Sequence, residues 1–205
     1  MPKNKKHLSA LIIFVKNPEK GKVKTRLAKT VGDEKALDVY HELLRITKSV
    51  ADSISVNKQV WYSQFVEEND LWSKGTYEKY PQEGENLGQR MQHAFREAFE
   101  SEQQKVVIIG SDCASLRNEI VQEAFNKLDT HEVVIGPAQD GGYYLLGMSE
   151  YYPVLFEGKS WSSSSVLQST VEQVEKMNLS YHLLPTLNDI DTEADLRTSN
   201  RIALP

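Results

Sequence analysis

Two stretches of this chain are apolar at every position: Ala10-Leu-Ile-Ile-Phe-Val15 and Val106-Val-Ile-Ile109. A strand with one wet face alternates polar and apolar residues, so an unbroken β-branched run marks a strand covered on both faces. Both runs stop abruptly at polar loops, Lys16-Asn-Pro-Glu-Lys-Gly21 after the first and Gly110-Ser111-Asp112 after the second. The pattern predicts neighbouring parallel strands whose carboxyl ends open into one crevice.

The intervening sequence supplies helices to cover such strands. Leu37, Tyr40, Leu44, Thr47 and Ala51 recur at helical spacing within 33–54, and Met91, Ala94, Phe95, Ala98 and Phe99 form a second stripe. Ile120, Val121, Ala124, Phe125 and Leu128 make a third, and Val166, Leu167, Val171 and Val174 a fourth. Gln59–Ser63, Val133–Ile135, Tyr143–Leu146 and Tyr181–Leu184 read as further strands, and Thr192-Glu-Ala-Asp195 as a capping box opening a last helix. Residues 64–87 show no clear period. Strands alternating with helices predict an α/β fold, a mostly parallel sheet between two helical layers, in a single domain over 1–205.

Composition narrows the function. The 205 residues carry a net charge of −5, which argues against a general nucleic-acid binder. A lone cysteine, Cys113, excludes an internal disulfide and a cysteine-rich zinc site, and points to a reducing compartment, the cytoplasm. Lys3, Lys5 and Lys6 precede an apolar run too short for a secretory leader, and no segment is long enough for a membrane span. The chain lacks a Walker A loop, a G-x-G-x-x-G fingerprint, an H-E-x-x-H pair and a G-x-S-x-G elbow. Its five histidines are scattered and read as surface or boundary residues.

Four segments could carry chemistry. Lys16, Lys20, Lys22, Lys24 and Arg26 crowd the loop after the first strand, around Gly21. Glycine permits close backbone approach and the cations neutralise phosphate, unless the loop is merely solvated. Asp112, at the tip of the second apolar strand, suits a hard divalent cation that takes one or two carboxylates and phosphate oxygens, or caps the next helix. Asp140-Gly141-Gly142 could bring a carboxylate and bare backbone to a ligand, or form a plain hairpin turn. Asp191, before the last helix, is either a second metal ligand or part of a cap built by Thr192 and Asp195.

Taken in order, these segments resemble the bacterial GT-A-like nucleotide-diphospho-sugar transferases, the selenodomain-associated and arsenosugar-biosynthesis glycosyltransferase-like group. They are more distantly similar to molybdenum-cofactor and phospholactate nucleotidylyltransferases. The resemblance spans about Ala10 to Leu196. It rests on K-x-P-x-x-G-x-V-K-T-R-L at Lys16–Leu27, L-G-x-R-M at Leu87–Met91, G-S-D-C at Gly110–Cys113 and D-G-G-Y-Y-L-x-G at Asp140–Gly147, supported by Trp161-Ser162 and D-I-D-T at Asp189–Thr192. Two positions depart from the pattern: Ala114 stands where proline is usual, and D-T-P-E-D-L reads Asp191-Thr-Glu-Ala-Asp-Leu196.

The resemblance implies a GT-A-like three-layer αβα sandwich. In it, Mg²⁺ or Mn²⁺ on Asp112, with Asp191 as a second position, bridges a diphosphate. Lys16, Gly21, Lys24, Thr25 and Arg26 would meet the nucleotide together with Ser111, Gly141 and Gly142. Gly88 and Arg90 would lie toward the nucleotide or acceptor side. Trp161 would be a stacking surface, or else a core residue, and Asp140 an acceptor-facing base. The implied activity is metal-dependent glycosyl transfer from a nucleotide-diphosphate sugar to a small-molecule acceptor. The alternatives are nucleotidylyl transfer releasing pyrophosphate, and nucleotide binding without catalysis.

Overall fold

The computed structural model describes residues 8–202; Lys3, Lys5, Lys6 and His7, and with them the question of a leader, lie outside them. Seven strands form one sheet in the order β3-β2-β1-β4-β6-β5-β7. They are β1 (Ser9–Val15), β2 (Asn57–Tyr62), β3 (Glu78–Pro81), β4 (Lys105–Ile109), β5 (Val133–Pro137), β6 (Tyr143–Met148) and β7 (Tyr181–Leu183). β1 pairs in parallel with both β2 and β4, Ile13 lying opposite Val60 on one side and Ile109 on the other. Among the described residues only β6 runs antiparallel to its neighbours, because the short 138–142 connection from β5 permits only a hairpin.

Six helices cover the sheet: α1 (Thr25–Val31), α2 (Asp33–Asp52), α3 (Leu87–Glu100), α4 (Asn118–Lys127), α5 (Val166–Lys176) and α6 (Glu193–Thr198). The two faces of β1 show the layering. Leu11, Ile13 and Val15 pack into one cluster with Tyr40 and Leu43 of α2, Leu27 of α1, Phe125 of α4 and Leu196 of α6. Ile12 belongs to the other, with Met91 and Phe95 of α3 and Val174 of α5. The expected three-layer α/β sandwich is therefore the observed one. Truncating a buried leucine such as Leu43 to alanine would cost about 2–5 kcal/mol in either layer.

Three elements lay outside the sequence reading. β3 buries none of its four residues, and Pro81 fits there because an edge strand leaves one row of N–H groups unpaired. α1 replaces the second half of the expected basic loop; Gly32, at φ 86°, breaks the chain between it and α2. A 3-10 turn at Pro153–Phe156 packs Leu155 and Phe156 against α3. The last helix opens as expected, with Thr192 and Asp195 exchanging the side-chain and backbone bonds of a capping box.

Candidate functional site

From β1 the chain steps one way across the sheet to β2 and β3, then returns to place β4 on the other side of β1. At such a reversal the loops leaving the two carboxyl ends diverge, and the gap between them is where open α/β sheets hold ligands. A cavity of about 620 Å³ opens there, lined by Lys16 and Arg26 beyond β1, Ser111 and Asp112 beyond β4, and Asp140, Asp189 and Asp191 from later loops.

A buried phenol fixes the two diverging ends. Tyr40 of α2 accepts the Lys16 backbone N–H at 2.8 Å and lies 3.1 Å from both the Lys16 carbonyl oxygen and the Ser111 hydroxyl. Burial and the nearby Asp112 charge push the phenol well above its ordinary pKa, so Tyr40 stays neutral and can donate. Asn17, also buried, receives the Gln64 N–H and donates to the Phe65 carbonyl, tying the β1 loop to the loop after β2. Lys16 itself is exposed at the cavity rim.

Carboxylates gather on the β4 side. The Ile190 N–H donates to the Asp112 carbonyl at 3.0 Å, and buried Ile190 anchors the Asp189-Ile190-Asp191 segment against the β4 tip. Asp189 and Asp191 therefore meet Asp112 across 77 residues of sequence or more. Burial first, then the Asp112 charge, drives the Asp189 carboxyl up to about 7 against the pull of Lys24. Sequence reasoning assigned Asp191 and passed over Asp189, although the D-I-D spacing around one apolar anchor was the available signal.

The basic segment divides. The Lys24 side chain is only 3% exposed and its Nζ lies 2.5 Å from Asp112 Oδ1 and 3.3 Å from Asp191 Oδ1. Burial opposes its charge most strongly, but Asp112, with smaller contributions from Asp191 and Asp189, holds the ammonium above its ordinary pKa. Arg26 pairs with the other oxygen of Asp191 and lines the cavity. Lys20 and Lys22 bond instead to Glu34 and Glu19, while Gly21 and Thr25 are exposed and do not line the cavity. The five cations are thus not one phosphate loop: Lys16 and Arg26 face the cavity, and Lys24 lies beneath it.

The other face of the cavity is more apolar. Leu87, Arg90 and Met91 of α3 line it with Phe14, Trp161 and Ser162–Ser164. Gly88 is not itself on the wall; it is the seat for Trp161, whose ring would lie 2.1 Å from any Cβ added there. Partly buried and stacked near Phe156, Trp161 is packed on one side and lines the cavity on the other. Arg90 Nε donates to the Gly84 carbonyl, leaving the guanidinium as a fixed part of the rim.

Asp112 does not cap a helix, because α4 begins six residues later with Arg117 at its N-cap. The Asp140-Gly141 segment is indeed a hairpin turn: Asp140 Oδ1 accepts the Gly142 N–H at 2.9 Å and Gly141 sits at φ 87°. Gly141 presses on the Ser164 backbone rather than the cavity, whereas Asp140 and Gly142 line it.

The donor set fits a hard divalent cation in one limited way. Among the described residues no three His, Cys, Asp or Glu side chains are arranged to hold a metal alone. Two oxygen donors, Asp112 and Asp191, already flank a single positive charge, the Lys24 ammonium. That is the donor chemistry of a cation completed by phosphate and water.

Comparison with known proteins places this architecture in the nucleotide-diphospho-sugar transferase fold. Residues 46–163 match the family described as "Uncharacterized protein conserved in bacteria (DUF2064)", and the chain belongs to that family. A crystal structure from Desulfovibrio desulfuricans G20, provisionally described as a nucleotide-diphospho-sugar transferase, superposes with a TM-score of 0.85 at 34% identity, over 97% of this chain and 94% of that one. The inositol-1-phosphate CTP transferase from T. maritima shares the fold at TM-score 0.57 and 13% identity, covering 94% and 93% of the two chains. So does a Mycobacterium tuberculosis H37Rv protein crystallised with manganese, at 0.55 and 11%, covering 93% and 96%. No curated protein sequence matches. Among the described residues no helix is long and apolar enough to cross a membrane.

Proposed function

We propose that this chain is a transferase that binds a nucleotide-diphosphate sugar in the β1/β4 crevice and passes the glycosyl group to a small-molecule acceptor. One observation carries the reading: exposed cations, Lys16 and Arg26, share a single cavity with the carboxylates Asp112 and Asp191 at the sheet's reversal point. A cavity of about 620 Å³ lies within the range of small-molecule sites, and one holding both charge signs suits a diphosphate bound with Mg²⁺ or Mn²⁺. The 34% identity to the Desulfovibrio protein supports the same class.

In this reading Lys16 and Arg26 hold the diphosphate from the rim and stabilise the charge that develops as the glycosyl bond breaks. Asp112 and Asp191 are the residues that would hold the divalent cation, whose chemistry when bound is to neutralise the departing nucleoside diphosphate. The Ser111 hydroxyl, kept in place by Tyr40, and the Gly142 backbone border the same space. Asp140 is exposed at the hairpin tip, where its carboxylate would accept a proton from an incoming hydroxyl. Arg90 and Trp161, on the cavity wall, would face the acceptor.

Product analysis tests the proposal. The protein is incubated with Mn²⁺, nucleotide sugars and hydroxyl-bearing acceptors, and the released anion is identified. Nucleoside diphosphate with glycosylated acceptor supports it. Pyrophosphate release from a nucleoside triphosphate would assign nucleotidylyl transfer instead, and tight binding without any product would leave a nucleotide-binding protein.

A further inference from the structure

Lys24 is set apart from the other lysines of its segment by its backbone. It stands at the N-cap of α1 in a left-handed conformation, φ 48°, that a non-glycine residue seldom adopts. The side chain is driven inward rather than out with the other lysines of the segment. Its ammonium ends between the two oxygens that the proposed cation would need, 2.5 Å from one and 3.3 Å from the other. A divalent ion with oxygen ligands at roughly 2.0–2.6 Å leaves no room for an ammonium in the same gap.

The Asp112 and Asp191 carboxylates share this one ammonium between them. Asp112, Asp189 and Asp191 all act on Lys24, and Arg26 is the second cation at Asp191. One positive charge therefore occupies a place that a doubly charged ion would compensate better. The exchange needs only that the ammonium find another anionic partner. The cavity directly above it, rimmed by Lys16 and Arg26, is where such an anion would enter.

We propose that Lys24 is a built-in occupant of the cation position between Asp112 and Asp191, displaced only when an anionic ligand enters the cavity. The proposal rests on the reading of this crevice as a metal–nucleotide site. It makes the protein a poor binder of divalent cation alone, and it couples cation and nucleotide binding, each strengthening the other by the same factor.

The test is Mn²⁺ binding without nucleotide, followed by the electron paramagnetic resonance of free Mn²⁺, for wild type, Lys24→Met and Lys24→Gly. Glycine suits the left-handed backbone, so Lys24→Gly provides a folded variant should Lys24→Met be unstable. Thermal melts establish that each protein tested is folded. Removing the ammonium should tighten Mn²⁺ binding at least tenfold, while Lys24→Arg, which keeps a cation, should stay near wild type. Unchanged or weaker Mn²⁺ binding in the folded Met or Gly variant overturns the proposal. A separate titration of wild type with nucleotide sugars and Mn²⁺ tells its failure from that of the functional reading. A wild-type response with no Mn²⁺ gain in the variants sinks only the Lys24 proposal. A gain in the variants with no response to any nucleotide sugar sinks only the substrate assignment.

Discussion

Gly88→Ala should change sign with the state of one side chain. In the wild type a Cβ at residue 88 would lie 2.1 Å from the Trp161 ring, so the indole must leave its seat. An aromatic side chain buries roughly 150–250 Å², and losing about half of that at 25 cal/mol/Å² costs about 2.5 kcal/mol. Against this, alanine gains up to about 1 kcal/mol over glycine in a helix, less near the first turn where residue 88 stands. Gly88→Ala should therefore destabilise the wild type by about 1.5–2 kcal/mol. In a Trp161→Ala background the clash is gone, and the same substitution should stabilise by up to about 1 kcal/mol. Denaturant unfolding of the four proteins gives the coupling, expected at about 2–3 kcal/mol. Tryptophan emission gives an independent readout, because Trp61 and Trp72 are buried at 1% and 2% exposure and Trp161 alone is set to move into water. Equal effects of Gly88→Ala in both backgrounds would refute the seat.

Three further outcomes follow from the site. Asp189 holds its proton to about 7 when folded but releases it near 3.8 when unfolded, so it erodes stability as pH rises between those values. Asp189→Asn should match wild type in urea unfolding near pH 4 and exceed it by about 2–4 kcal/mol at pH 8; the same difference at both pH values would contradict the assignment. Tyr40→Phe should cost about 1–2 kcal/mol, since the buried phenol serves the Lys16 backbone and lies beside Ser111. It should also weaken nucleotide-sugar binding in calorimetry, an effect absent if Tyr40 is only a core residue. Lys16→Ala, at the exposed rim, should leave the unfolding midpoint within about 0.5 kcal/mol of wild type while weakening nucleotide binding and its salt dependence; wild-type affinity would remove Lys16 from the site.

The architecture was legible where burial imposes a period. Ala10–Val15 and Val106–Ile109 announced adjacent covered strands, and the Met91–Phe99 stripe announced α3, because each must hide apolar surface. β3 and α1 were not legible for the opposite reason: the first buries no residue and the second only Leu27. At the site, Asp112 could be read from its place at a strand tip. The D-I-D spacing could flag Asp189 but not its burial, which depends on Ile190 docking to the Asp112 backbone, a contact between distant segments. The division of the basic segment was equally hidden. Lys24 turns inward through a left-handed backbone, while Lys20 and Lys22 find glutamates that no spacing rule would pick.

Diffraction at the manganese absorption edge, from crystals grown with Mn²⁺ and a nucleotide-diphosphate sugar, tests the central claim most directly. The account predicts an anomalous peak between the Asp112 and Asp191 carboxylates, with the diphosphate against Lys16 and Arg26 and the Lys24 ammonium withdrawn from the gap. A nucleotide bound elsewhere, or a diphosphate in the crevice with Lys24 still seated between the two carboxylates and no manganese there, would contradict it.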